Sequence, residues 1–254
     1  DHGDFIGHTL ESVDTGSVAA LQGQRGVVVL GDFIGVVAER EDQAEAAMRQ
    51  LAVRGKPWPG MPGLDDVAQA LRTNPATQRR LVDEGQVDAV LAGGGAVQRT
   101  YLWPYQMHAS IGPSCAVAQW QPEGEAGAFQ LRCWAGTQNP YVLRADLAKL
   151  TGLQDVQVDV VRLETAGCYG RNGADDVAAD AALLARAMAS QGQRQEDGSG
   201  APVRVQLTRE QEHAWEPKGA AQLMDVRGAL GADGRLAAYD FETSYPSNGA
   251  PTLA

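Results

Sequence analysis

The alternation of apolar and polar positions defines the elements of this chain one at a time. Residues 26–39, GVVVLGDFIGVVAE, hold two apolar runs around a Gly-Asp pair and predict two strands joined by a tight turn. EDQAEAAMRQLA follows, with Ala44, Ala47, Met48 and Leu51 at helical spacing and acids in the first turn, which predicts an amphipathic helix. LDDVAQALR predicts a short helix capped by aspartate, and the run from Arg79 to Tyr105 reads as strand, loop and strand. SCAVAQW and AFQLRCWAGTQ flank the turn-rich QPEGEAG as the two arms of a hairpin. YVLRADLAKLTG is helical, with Leu143, Leu147 and Leu150 on one face and Gly152 as its stop. VQVDVVRLE alternates as a half-buried strand does. DDVAADAALLARAMA is a strong helix with Val177, Ala181, Leu184 and Met188 on one face. PVRVQLT is a further strand, and LMDVRGALGADGRLAAYDFETSY is a hairpin around Gly-Ala-Asp-Gly.

Between these elements the punctuation is equally plain. GKPWPGMPG, residues 55–63, cannot be regular and marks a first boundary. SQGQRQEDGSGA is a polar, flexible connector, and LAGGGA is another, because it has neither the spaced glycines nor the lysine of a phosphate-binding loop. GDFIG occurs at residues 3 and 31 with unlike flanks, a coincidence and not a repeat. Strands and helices are mixed without a regular βαβ repeat, so the fold class is α+β.

Composition narrows the function classes. The 254 residues carry 32 acids against 21 bases, a net charge of -11, which argues against nucleic acid as the main partner. No apolar run approaches the ~20 residues of a membrane span, and DHGDFIGHTL has neither the basic nor the apolar region of a secretory leader. Cys115, Cys133 and Cys168 are odd in number and scattered, and His2, His8, His108 and His213 are not at ligand spacing. Neither a disulfide framework nor a zinc or iron–sulfur centre of the chain's own is expected.

The candidate chemistry concentrates in two stretches. GTQNP, residues 136–140, ends a strand and starts a helix, so Gln138 can aim its amide into a cleft as both donor and acceptor, although a plain turn with Thr137 or Asn139 as the cap and Pro140 in the first helical position accounts for it as well. ETAGCYGRNGADD, residues 164–176, joins a strand to a helix where backbone N–H groups can cradle an anion or oxo group. Gly167 and Gly170 allow close approach of main chain, but Asp175 and Asp176 disfavour a phosphate there. Cys168 has no histidine near in sequence, so the residues alone favour a structural loop over a thiol nucleophile. His108 reads as a hydrogen-bonded packing residue, and TREQEHAWEP, residues 208–217, as a solvated turn. No nucleophile elbow of the Ser-His-Asp kind occurs.

Taken in order, HASIGP, GTQNP, AGCYGRNGADDVAADAALLARA and PVRVQLTREQEHAWEP resemble the large subunit of the molybdenum hydroxylases, the xanthine dehydrogenase and aldehyde oxidase family. The resemblance spans nearly the whole chain and is nearest to the branch of nicotinate dehydrogenase, isoquinoline 1-oxidoreductase and membrane-bound aldehyde dehydrogenase. It implies an α/β-hammerhead-like domain at residues 1–60, a linker with a short helix at 61–94, and the first half of a molybdopterin-binding domain at 95–254. It also implies a molybdopterin cofactor in its cytosine dinucleotide form, bound in the longer protein and absent from this fragment. Hydroxylation of an aldehyde or N-heteroaromatic carbon by water would pass electrons to a small [2Fe–2S] subunit, with cytochrome c as a possible acceptor. By motif, Gln138 and the loop Gly167, Cys168, Tyr169 and Gly170 would lie beside the cofactor. Xanthine-type members carry a substrate-orienting glutamate where this chain has Gly173, which argues against a purine substrate. The family's catalytic base lies in a later glycine-rich motif that nothing here matches, so these residues read as an N-terminal fragment, inactive alone, of a subunit in the cytoplasm or at the inner membrane or periplasm. The rival reading is a non-catalytic module that binds an iron–sulfur subunit.

Overall fold

The computed structural model describes residues 9–57, 65–121, 129–196 and 198–246. Most of GKPWPGMPG and QPEGEAG, and the first copy of GDFIG, lie outside the described residues. The chain divides into two compact units, Asp1–Gly60 with His108–Pro217, and Met61–Met107 with Lys218–Ala250.

The first unit opens with β1 (Leu10–Asp14), the hairpin β2 (Gln24–Leu30) and β3 (Phe33–Ala38), helix α1 (Glu41–Gln50) and β4 (Ala52–Gly55). β2 and β3 turn at Gly31-Asp32, and β1 pairs antiparallel with β4. In the second unit, Asp66 caps α2 (Val67–Thr73) by accepting from Gln69 N–H at 2.9 Å. The expected first strand of the 79–105 run is instead helix α3 (Val87–Ala92), followed by β5 (Val97–Trp103). Val87, Val90 and Leu91 have the helical i, i+3, i+4 spacing, and Leu91 is buried against Ala229 and Ala238.

The chain then returns to the first unit with β6 (Cys115–Trp120), β7 (Leu131–Ala135), α4 (Pro140–Thr151), β8 (Val158–Arg162), α5 (Asp176–Ser190), β9 (Val203–Gln206) and α6 (Arg209–Trp215). It ends in the second unit with the hairpin β10 (Gln222–Leu230) and β11 (Leu236–Ser244), which joins β5 in the order β11-β10-β5. There Arg72 grips Asp225 with two bonds of 2.8 and 3.1 Å.

The main sheet has the order β8-β7-β6-β9, antiparallel except where β7 runs parallel to β8. A parallel pair needs a crossover, and α4 supplies it. Gly152 ends α4 at a φ of 74°, as its sequence position predicts. Leu143 and Leu147 are buried, but Leu150 is 39% exposed at the edge of that face. Helix α5 places Val177, Ala181, Leu184 and Met188 in the core beside Leu131 and Cys133. Its alanines let the helix lie close against the sheet. The polar connector 190–201 is pinned by a bridge between Arg194 and Gly200. No helix among the described residues is long and apolar enough to cross a membrane.

Leu147 has no exposed surface, whereas Val156 is 80% exposed. Leu147→Ala is expected to cost about 3 kcal/mol of stability in urea denaturation, and Val156→Ala less than about 0.5 kcal/mol.

Candidate functional site

Because β7 and β8 run parallel, with Ala135 opposite Arg162, both strands deliver their next segments to the same edge of the sheet. That edge is where α/β architectures usually bind ligands. The two stretches singled out by sequence therefore meet. Gln138 N–H donates to the carbonyl of Asn172 at 3.3 Å. Thr137 Oγ1 donates to Asp175 Oδ2 at 2.6 Å and accepts from Asn139 N–H at 3.0 Å. Arg162 Nε adds a bond of 3.1 Å to the carbonyl of Thr137. Gln138 itself is exposed, and a Cβ on Gly173 would lie 3.7 Å from its Oε1. The sequence offered Thr137 or Asn139 as a helix cap. Asn139 holds the cap position without a side-chain bond, and Thr137 ties the turn to the glycine loop instead.

The glycine loop has an uncommon backbone. Gly167, Tyr169 and Gly170 have φ of 88, 54 and 101°. Glycine adopts such values freely, but a tyrosine does not. The Tyr169 ring folds back over Gly167, where a Cβ would meet its Cε2, Cζ and OH at 3.1–3.2 Å. The carbonyls of the loop are taken from behind. Ala166 O accepts from Gly112 N–H at 2.9 Å, Cys168 O from Ser110 Oγ at 3.0 Å, and Tyr169 O from His108 Nδ1 at 2.9 Å. Among the described residues, the N–H groups of Cys168, Tyr169 and Gly170 meet no acceptor. Donors are thus left on a loop whose acceptors are satisfied, the arrangement that suits an anionic or oxo ligand. The Cys168 thiol accepts from Asn172 N–H at 3.5 Å, and the imidazole of His108 goes to the Tyr169 carbonyl and not to that thiol.

Beneath the loop lies a set of buried charges that the sequence reading missed. TREQEHAWEP is not a solvated turn. It contains α6, capped by Thr208 and Gln211 in a reciprocal box, with Glu212 buried within it at 0% exposure and Glu216 at its C-cap at 3%. The T-x-x-Q spacing that announces such a cap was present in the sequence. Glu212 accepts from Ser114 N–H at 2.6 Å, from Ser114 Oγ at 3.2 Å and from Arg171 Nε. Arg171, fully buried, also donates to Ala174 O at 2.9 Å and to both oxygens of Asp176 at 3.0 and 3.2 Å. Burial works against the Glu212 charge, but the Ser114 N–H and the Arg171 guanidinium outweigh it and hold its carboxyl below the ordinary range. Burial likewise works against the Arg171 charge, and Asp176 and Glu212 outweigh it and raise its pKa.

Asp175 stands in the cap position of α5 without capping it. Burial, opposed by the Thr137 bond and reinforced by the Asp176 charge, pushes its carboxyl up to about 6. Burial pushes the Cys133 thiol up to about 12, which leaves it unreactive. Among the described residues no three His, Cys, Asp or Glu side chains converge as a metal-ligand group.

Residues 71–251 match the molybdopterin cofactor-binding domain family. Over its full length the chain is 57% identical to a nicotinate dehydrogenase subunit of Pseudomonas putida, and it spans 20% of that protein. It is 27% identical, over 88% of its length, to a probable xanthine dehydrogenase subunit of Bacillus subtilis, of which it spans 29%. The fold is similar to quinoline 2-oxidoreductase from Pseudomonas putida 86, with a TM-score of 0.69, 18% identity, and coverage of 93% of this chain and 34% of that one. It is also similar to the aldehyde oxidoreductase from Desulfovibrio gigas, with a TM-score of 0.73, 17% identity, and coverage of 93% and 29%. The resemblance drawn from the motifs is borne out by these matches.

Two outcomes are expected from the buried charges. Arg171→Met leaves Glu212 buried without its cation and should cost about 3–5 kcal/mol in thermal unfolding, most of it recovered in the double variant with Glu212→Leu. The Asp175 carboxyl has its folded pKa raised to about 6, so its stabilising contribution is complete near pH 4 and is lost as pH rises through 6. Asp175→Asn should therefore raise stability at pH 7, by up to about 3 kcal/mol, and give no gain at pH 4.

Proposed function

The chain belongs to the molybdopterin cofactor-binding domain family, and we propose that it forms part of the large subunit of a molybdenum hydroxylase acting on an aldehyde or N-heteroaromatic carbon. The observation that carries this reading is that one edge of the sheet holds both the exposed Gln138, whose N–H bonds the Asn172 carbonyl, and the glycine loop, whose Cys168, Tyr169 and Gly170 N–H groups meet no acceptor among the described residues. That donor set fits the oxo face of a molybdopterin group. When bound, the group supplies the two-electron oxidation and activates water as the oxygen source. The chain's own residues bind and orient. Gly167 and Gly170 add no side chain of their own to the turns of the loop, Gln138 offers both a donor and an acceptor, and Gly173 leaves open the space beside Gln138.

The cofactor is taken in its cytosine dinucleotide form. Residues 1–60 are read as α/β-hammerhead-like, 61–94 as a linker, and 95–254 as the first part of the molybdopterin-binding domain. Electrons leave through a small [2Fe–2S] subunit, with cytochrome c as the further acceptor. The catalytic base comes from a part of the subunit outside these residues. This fits the extent of the match, since the chain spans about a fifth of the curated Pseudomonas putida relative and about a third of the solved structures it resembles.

In the full-length enzyme, Gln138→Leu should lower kcat on the order of a hundredfold, the usual effect of losing one oriented donor, with the molybdenum content unchanged. Unchanged kcat would remove Gln138 from the site. Stoichiometric molybdenum and turnover from the 254-residue chain alone would overturn its role as one part of a larger catalytic subunit.

A further inference from the structure

Among the described residues only two non-glycine positions have φ in the left-handed region, Ala109 at 51° and Tyr169 at 54°. Residues with a Cβ rarely adopt this conformation unless their surroundings impose it. The two positions are not independent, because they face each other. His108, just before Ala109, gives its Nδ1–H to the carbonyl of Tyr169 at 2.9 Å. Ser110, just after it, gives Oγ–H to the carbonyl of Cys168 at 3.0 Å. The imidazole lies against Gly170, where a Cβ would come within 3.0 Å of Cε1 and 3.1 Å of Nδ1. Behind this contact, His108 N–H donates to Glu216 Oε1 at 2.5 Å, and Arg209 Nη1 donates to Ser110 O at 2.8 Å. The segment 108–112 is thus fastened to α6 on one side and to the glycine loop on the other.

We propose that His108 is the positioning residue of the glycine loop, holding Tyr169 in its left-handed conformation by donating from Nδ1 to its carbonyl. This rests on the reading of that loop as the part that faces the cofactor. With the Tyr169 carbonyl drawn inward, the N–H of Gly170, trans to it in the same peptide, points the opposite way, as the Tyr169 N–H does opposite the Cys168 carbonyl held by Ser110. A carbonyl only accepts, so Nδ1 must carry a proton, and in the neutral imidazole that is the Nδ1–H tautomer, with Nε2 bare. This separates three roles. Asparagine carries its amide nitrogen where the ring carries Nδ1, and glutamine where it carries Nε2. Phenylalanine keeps the bulk over Gly170 and has no donor. The backbone bond to Glu216 survives in all three variants.

The test begins with the 254-residue chain itself. Nitrogen-15 spectra of its histidines near about pH 8.5, where imidazoles are neutral, should show His108 as the Nδ1–H tautomer, with the signal assigned by its loss in His108→Asn. An Nε2–H tautomer overturns the proposal. The second readout is alkylation of Cys168, half-buried in the loop, with the buried Cys133 as the control for global unfolding. His108→Phe and His108→Gln should speed Cys168 alkylation by about tenfold or more with Cys133 unchanged, and His108→Asn by less than about threefold. Equal rates in all variants, or rescue by glutamine and not by asparagine, overturn it. If a variant also exposes Cys133, the tautomer of the unaltered chain decides. In the full-length enzyme, His108→Phe should lower kcat with KM unchanged. A loosened loop with unaltered kcat and molybdenum content would leave His108 in this role and remove the loop from the cofactor.

Discussion

The guanidinium of Arg171 lies fully inside the protein, and much of the site follows from how that charge is met. An isolated cation there would be prohibitively costly, so its partners are held tightly. Glu212 comes from α6, Asp176 from the first turn of α5, and the carbonyl of Ala174 from the loop itself. Glu212 is tied in turn to Ser114 at the start of β6. One side chain therefore binds a strand end, two helices and the glycine loop into a single piece. The loop can be exposed on its outer side because it is satisfied on its inner one.

The second constraint is the parallel register of β7 and β8. An antiparallel pair would have sent GTQNP and the glycine loop to opposite edges of the sheet. The crossover through α4 brings both to one edge, where Thr137 and Asp175 join them with a short hydrogen bond. That bond holds Asp175 in a buried place that raises its pKa, a local cost accepted by a structure that gains a rigid junction between Gln138 and the loop. Binding residues on loops depend on such support from the scaffold beneath them.

Elements that declare themselves by local period were legible from the chain alone. The β2–β3 hairpin, the apolar stripe of α5 and the stop at Gly152 are of this kind, because each is decided by neighbours within a few residues. Helix α3 was not, although its spacing was helical, because the run around it is apolar enough to read as a strand. Helix α6 was missed for another reason. Its capping box was visible, but its charged composition suggested solvent. Only the burial of Arg171, 41 residues earlier in the chain, turns Glu212 inward. His108 posed the same difficulty, since its partner Tyr169 lies 61 residues away.

By itself, then, the sequence determined most of the elements, their order and the family to which they belong, for these rest on local periodicity and on motifs in register. The tertiary structure decided which edges coincide, which charges are buried and which donors remain open. Those properties belong to pairs of residues far apart in the chain, and only a specific packing gives them a value. The glycine loop is the clearest case. Its glycines mark it as able to bend, but the carbonyl partners supplied by His108, Ser110 and Gly112 determine which way its N–H groups face.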